Sequence, residues 1–240
     1  MEDTMCADRF TERTHAYIAA KYYVHLTEAF EERGTKSFIH ATQYYGMQRG
    51  RRMAQRAIRD GKELTQETYN YYGEWVATEE IRAEGIANRS ESRPDGSLHI
   101  FSCPWYVQFR DMGLTEAGEL YCSDLDSSIS RGFNPRLGYV VDQTLYHADC
   151  CIHRLLHGDM NAGSGRGKNP EGLRSFEFHC AHLYWAYNEV TLAIFGENGS
   201  RVNTQVLEDF EKDYGKEMTD RIRGYQNVNF NVCGASGLFV

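Results

Sequence analysis

The sequence has no basic surplus: its 240 residues carry 26 lysines and arginines against 34 aspartates and glutamates, a formal net charge of -8. A general binder of phosphate backbones needs a basic surface to release counterions, so no nucleic-acid partner is expected. No window approaches the roughly eighteen apolar residues of a membrane helix, and Met1 to Asp8 has no basic stretch followed by an apolar one. No membrane partner is expected either, and the expected location is cytoplasmic. Also missing are a CxxC pair, an HExxH helix and the Cys/His spacing of a zinc finger. The site is therefore expected to work without a cofactor, a divalent metal such as zinc being the alternative.

What is present suits a packed enzyme-sized domain. Hydrophobic residues make up 41% and aromatics 13% of the chain, enough for a substantial core. There is no internal repeat and no linker, so residues 1–240 are expected to form one domain. The seven cysteines, at 6, 103, 122, 150, 151, 180 and 233, are an odd number in a chain too large to need disulfide staples. They are expected to be free thiols, several of them packing as small hydrophobes.

The periodicities predict an α+β fold. A helical layer spans about 10–85: one helix over 10–33 stopping at Gly34, a second over 38–59 ending at Asp60-Gly61, and a third opening at Thr65. Pro94-Asp95-Gly96 between extended runs predicts a hairpin, because Pro presets φ and Gly supplies positive φ. A short amphipathic piece follows Cys103-Pro104-Trp105, then a helix from Thr115 to about Arg131. Two strands, 138–145 and 150–156, give a second hairpin around Tyr146-His147-Ala148-Asp149. An antiparallel sheet of about four strands built from two hairpins results. Residues 158–173 hold five glycines and predict a long mobile loop, a lid or a solvated segment, whose glycines lack the spacing of a phosphate loop. Helices over 174–195 and 204–225 complete the covering of the sheet.

Reactive residue types concentrate between Cys103 and His153. Cys122 and Asp126 stand at i and i+4 of one helix and share a face, while Asp124 points elsewhere. In the last strand, alternation puts Cys151 and His153 on one face and Asp149 and Cys150 on the other. Should Cys151 face the helix, two thiols and a carboxylate would meet, a set suited to covalent catalysis or to a soft metal. The thiols equally suit plain packing, and a carboxylate beside Cys122 opposes thiolate formation. His179 and His182, at i and i+3 of a later helix, can serve as bases or orient a substrate, though their aromatic surroundings equally suit core histidines. Arg49-Gly50-Arg51-Arg52, with Arg56 and Arg59, can grip a carboxylate or phosphate but fits a solvated helix face better.

Cys103-Pro-Trp105, Tyr121-Cys122-Ser-Asp-Leu-Asp126, Gly132-Phe-Asn-Pro135, Asp149-Cys-Cys151 and Phe178-His-Cys-Ala-His-Leu183 together resemble the L-2-amino-thiazoline-4-carboxylic acid hydrolase family, over roughly residues 85–225. One departure is His147-Ala148, where the family tends to carry Gly-Asp. The resemblance implies ring-opening hydrolysis of a small cyclic amidine-like carboxylate to an N-carbamoyl amino acid. It implies Cys122 as nucleophile or soft ligand, Asp126 as proton carrier or water orienter, and Cys151 as partner thiol. Tyr121, Asn134, Trp105, His179 and His182 are the expected substrate-binding residues. The expected partner is a small-molecule substrate, with a homo-oligomer left open. Two alternatives stand beside it: another small-molecule enzyme using the same cluster for thiol or metal chemistry, and a ligand-sensing domain, similar to those related to vinyl reductases, with cysteine-bound zinc.

Overall fold

The computed structural model describes residues 9–163 and 165–234, so Met1 to Asp8, with Cys6, lie outside the described residues. Helix α1 (Glu12–Phe30) starts at a reciprocal cap, the Thr11 and Thr14 side chains each accepting from the other's backbone N–H. Helix α2 (Glu32–Arg59) follows after a single residue, Glu31, at φ 52°. The expected stop at Gly34 is therefore displaced. Gly34 lies inside α2, where a Cβ would come within 1.9 Å of the Leu26 carbonyl oxygen, so it permits close folding of α2 onto α1 rather than ending a helix.

Short helices α3 (Gln66–Tyr71) and α4 (Glu79–Ala83) lead to strands β1 (Arg89–Ser92) and β2 (Leu98–Ser102). Their turn is the one foreseen: Gly96 has φ 81°, and the Asp95 carboxylate accepts from the Ser97 N–H at 3.0 Å. Helix α5 (Pro104–Asp111) opens with proline in its first turn, where the missing N–H costs nothing. Helix α6 (Thr115–Phe133) then crosses α2. A Cβ on Gly50 would lie 1.9 Å from the Ile129 carbonyl oxygen, and one on Gly132 2.3 Å from that of Met47, so the two helices meet backbone to backbone. That contact sets Arg49 on α2 and Asp126 on α6 around one cavity.

Strands β3 (Tyr139–Gln143) and β4 (Cys151–Leu155) complete an antiparallel sheet in the order β1-β2-β4-β3. The two hairpins join through β2 and β4, with Ile100 opposite Cys151 and Leu98 opposite His153. In β4, Cys151, His153 and Leu155 are buried while Ile152 and Arg154 are partly exposed, the alternation of a sheet with one covered face. The connection between β3 and β4 spans residues 144–150, longer than the four-residue turn expected.

Helices α7 (Phe176–Phe195), α8 (Glu197–Tyr214) and α9 (Lys216–Arg223) follow. The single helix expected over 204–225 begins earlier, at Glu197, and divides at Gly215, whose φ of 88° no helix accommodates. Helix α1 packs against α2, α7 and α8, burying Tyr22, Leu26, Phe38, Tyr187 and Phe210 completely. Among the described residues no helix is long and apolar enough to cross a membrane.

The described part of the glycine-rich loop is a wall rather than a solvated excursion. Met160 is buried and donates its N–H to the Gly96 carbonyl at 3.0 Å; Asn70 Nδ2 donates to the Ala162 carbonyl at 3.0 Å, and the Asn169 N–H to that of Tyr71 at 2.7 Å. The loop is thereby fixed both to the first hairpin and to the end of α3.

Candidate active site

Two chambers open between α2, α6, the sheet and the glycine-rich loop, and both are lined by Arg49, Trp75 and Asp126. The inner chamber, about 80 Å3, is walled by Cys103, Trp105, Tyr121, Cys122, Cys151 and His153 among others. The outer one, about 350 Å3, has mixed walls that carry Asn70, Ser90, Asn161, Arg166 and Lys168 beside apolar side chains.

The structure thus brings Cys122, Asp126 and Cys151 to one cavity. Their helical spacing puts Cys122 and Asp126 on one face of α6, and strand alternation turns Cys151 toward that face. Cys103, preceding α5, adds a third thiol, and Tyr146 completes the thiol end. Its ring lies where a Cβ on Gly118 would be, so glycine one turn before Cys122 makes room for it. Its hydroxyl is buried beside Cys122 without a hydrogen bond of ordinary geometry.

The thiols are held protonated. Burial, then the neighbouring Cys103, Cys151 and Asp126, pushes Cys122 well above its ordinary value. Burial also drives Cys103 up to about 12, and Cys151 up to about 11 although the Leu145 N–H, 3.3 Å from its sulfur, opposes the shift. The thiolate, which is the nucleophile and the metal ligand, is therefore scarce at neutral pH. Asp126 forms no hydrogen bond or ion pair among the described residues and reaches both chambers. Among the same residues no three His, Cys, Asp or Glu side chains are spaced to hold a metal ion.

Of the expected substrate-binding residues, Trp105 and Tyr121 line the inner chamber. Trp105 Nε1 donates to His15 Nδ1 at 2.9 Å, which fixes its ring, while the buried Tyr121 hydroxyl has no hydrogen-bond partner among the described residues. Asn134, His179 and His182 line neither chamber. Asn134 caps the 3-10 turn Pro135–Leu137, accepting from the Arg136 N–H at 3.0 Å and donating to the Leu64 carbonyl at 2.7 Å. His179 and His182 are buried one layer behind the cavity. His182 Nε2 lies 2.7 Å from Gln48 Oε1 and its Nδ1 3.3 Å from an Arg52 nitrogen, a pattern that fixes the proton on Nε2.

The basic run on α2 is not a solvated face. Arg49, Arg52 and Arg56 are buried around Glu74; only Arg51 and Arg59 are exposed. Glu74 accepts from Arg52 Nε at 3.0 Å and Nη2 at 2.6 Å, and from Arg56 Nη1 at 2.8 Å. Burial opposes its charge, yet the Arg52 and Arg56 guanidiniums hold the carboxyl far below the usual range. Arg49 is the exception in the group: its Nε stands 3.8 Å from Glu74 and makes no hydrogen bond. The signal for burial was present in Gly46 and Gly50, four apart beside Arg49, since small residues at that spacing mark a helix crossing; Glu74 and Trp75 gave none.

A model of the L-2-amino-thiazoline-4-carboxylic acid hydrolases matches residues 11–155, well over half of the chain. The chain belongs to that family. The matched span runs from the N-cap of α1 to the end of β4 and so includes α2, α6 and β4, the elements that carry Arg49, Cys122, Asp126 and Cys151. It begins far upstream of the motifs that carried the resemblance, and it leaves Phe178 to Leu183 outside. No curated protein and no solved structure matches the chain. The family name describes a hydrolase of a thiazoline carboxylate.

Proposed function

We propose that this protein opens a small cyclic amidine-like carboxylate, a 2-amino-thiazoline-4-carboxylate or a close analogue, by adding water to the ring carbon between nitrogen and sulfur. The observation that carries the reading is the placement of Asp126: a carboxylate unpaired among the described residues, at the junction of a chamber with several polar and charged side chains and a chamber walled by three thiols. Asp126 takes a proton from water as the water oxygen bonds to the amidine carbon. The electron pair of the ring C=N bond moves to that nitrogen, the tetrahedral carbon collapses to a urea carbonyl as its hydroxyl proton passes to the ring nitrogen, the carbon–sulfur bond breaks, and Asp126 returns the first proton to the departing sulfur. Atoms balance as substrate plus one water giving a thiol and a carbamoyl group.

The electrostatics favour this route over attack by Cys122. A thiol surrounded by two other thiols and a carboxylate is a poor source of thiolate, whereas neutral thiols make a polarisable wall for the ring sulfur. Cys122, Cys151 and Cys103 are then positioning groups, and Trp105 and Tyr121 supply flat surface for the ring. The test is incubation of the purified protein with L-2-amino-thiazoline-4-carboxylate and mass spectrometry of the products. One added water with one new thiol supports the reading; intact substrate after prolonged incubation overturns it.

A further inference from the structure

The buried cluster behind the cavity carries three guanidiniums, Arg49, Arg52 and Arg56, against one carboxylate, Glu74. Arg52 and Arg56 occupy that carboxylate at hydrogen-bond distance, which leaves Arg49 only a long 3.8 Å approach to Glu74 and the face of the Tyr45 ring at 5.7 Å. Arg49 is only 5% exposed, makes no hydrogen bond to any described residue, and lies on the wall of both chambers. Three buried guanidiniums sharing one carboxylate leave the cluster net positive, which is costly, so the guanidinium without a hydrogen bond to that carboxylate is expected to meet an anion when the site is filled.

A second cation faces the same space from the glycine-rich loop. Lys168 Nζ donates to the Trp75 carbonyl at 2.6 Å and lies 5.2 Å from the centre of the Trp75 ring. An ammonium has three N–H groups, so two remain for the chamber. No carboxylate among the described residues pairs with it. Gly73 makes its position possible, because a Cβ there would stand 3.1 Å from Nζ. Lys168 is an exposed residue, yet burial around its ammonium together with the charge of Arg49 brings its pKa down to about 8. Arg166, the other cation of the outer wall, is already paired with Glu67 at 3.3 Å and stacked on Tyr71.

We infer that Arg49 and Lys168 form a two-cation subsite for the carboxylate of the substrate, the planar guanidinium gripping it from the helical side and the ammonium closing on it from the glycine-rich loop. The inference rests on the hydrolase reading for the identity of the ligand, and it assigns the loop the part of selecting acids over their neutral counterparts. A carboxylate rather than a larger anion suits the pair, since one fork and one point charge satisfy two oxygens.

Equilibrium binding tests it without turnover. The probes are L-2-oxothiazolidine-4-carboxylate, which has no amidine to hydrolyse, and its uncharged 4-carboxamide, titrated calorimetrically at constant ionic strength. The intact protein should prefer the acid by at least about tenfold, the usual scale for hydrogen bonds to a charged group. Lys168→Gln should lose most of that preference and Lys168→Arg should keep it; both change an exposed residue, so folding is not in question. Equal binding of acid and amide, no binding of either, or an undiminished preference in Lys168→Gln would overturn the subsite. Acid-selective binding by a protein that leaves the thiazoline intact would remove the hydrolase reading and keep the subsite. Turnover with no acid preference would do the reverse.

Discussion

Lowering the pH from about 7.5 to about 5 should destabilise this protein steeply, because three of its imidazoles are locked in the neutral form. His15, His179 and His182 are buried, and burial pulls all three below 6.5, His179 to about 3. Their hydrogen bonds agree: Trp105 Nε1 donates to His15 Nδ1, and His182 accepts from Arg52 at Nδ1, so neither ring has a free site for a second proton. The sign follows from linkage. Above the unfolded value of about 6.5 neither state binds the proton and the stability is fully present; below it the unfolded chain binds protons that the folded chain refuses, and stability falls until the folded pKa is reached. At pH 5 each histidine costs about 2 kcal/mol, roughly 6 kcal/mol for three, against a total of about 5–15 kcal/mol for a typical domain. Glu74 adds nothing in this window, since a depressed carboxyl loses its contribution only below about pH 4.5. Urea denaturation at half-unit steps measures the slope directly; buried His153, also shifted down by burial, adds to it in the same direction, and His182→Gln should remove the share of one ring. Equal stability at both ends of the range would refute the assignment of these rings as neutral core groups.

Two further outcomes bear on the site and its frame. Cys122→Ser should leave activity within about tenfold of the intact protein, because a positioning thiol is replaced by a near-isostere, whereas a nucleophilic Cys122 would lose several orders of magnitude; initial rates on the thiazoline decide. Gly50→Ala should lower stability by about 1–3 kcal/mol or more, since the new methyl meets the Ile129 carbonyl and the Phe133 N–H, both backbone atoms that cannot step aside, and a shift in the urea midpoint measures it.

Much of the site was legible in local pattern and little of its charge. The four-residue spacing of Cys122 and Asp126 and the alternation of Cys151 with His153 are short-range properties of a helix and a strand, so they survive folding unchanged. The hairpin at Pro94-Asp95-Gly96 is local for the same reason. Arg49, Arg52 and Arg56 looked solvated because the acid that holds two of them, Glu74, comes from a loop past the end of their own helix, and no helical spacing connects them. Gly34 illustrates the opposite error: a glycine read as a stop by its neighbours serves a contact with a residue eight positions earlier, visible only once α2 folds back. Trp75 and Lys168 come to the cavity through a loop whose glycines suggested solvation, and its backbone bonds to Gly96 and Tyr71 have no sequence signature.

The central claim is that Asp126 moves the proton between water and the departing sulfur. Its most direct test is kcat for L-2-amino-thiazoline-4-carboxylate with Asp126→Asn, an isosteric change that keeps the cavity and removes the base, alongside calorimetric binding of the oxothiazolidine acid to show that the site still fills. A kcat reduced by about 100-fold or more with binding retained is the predicted result. A variant that binds the probe and turns over the thiazoline at the rate of the intact protein would contradict the account.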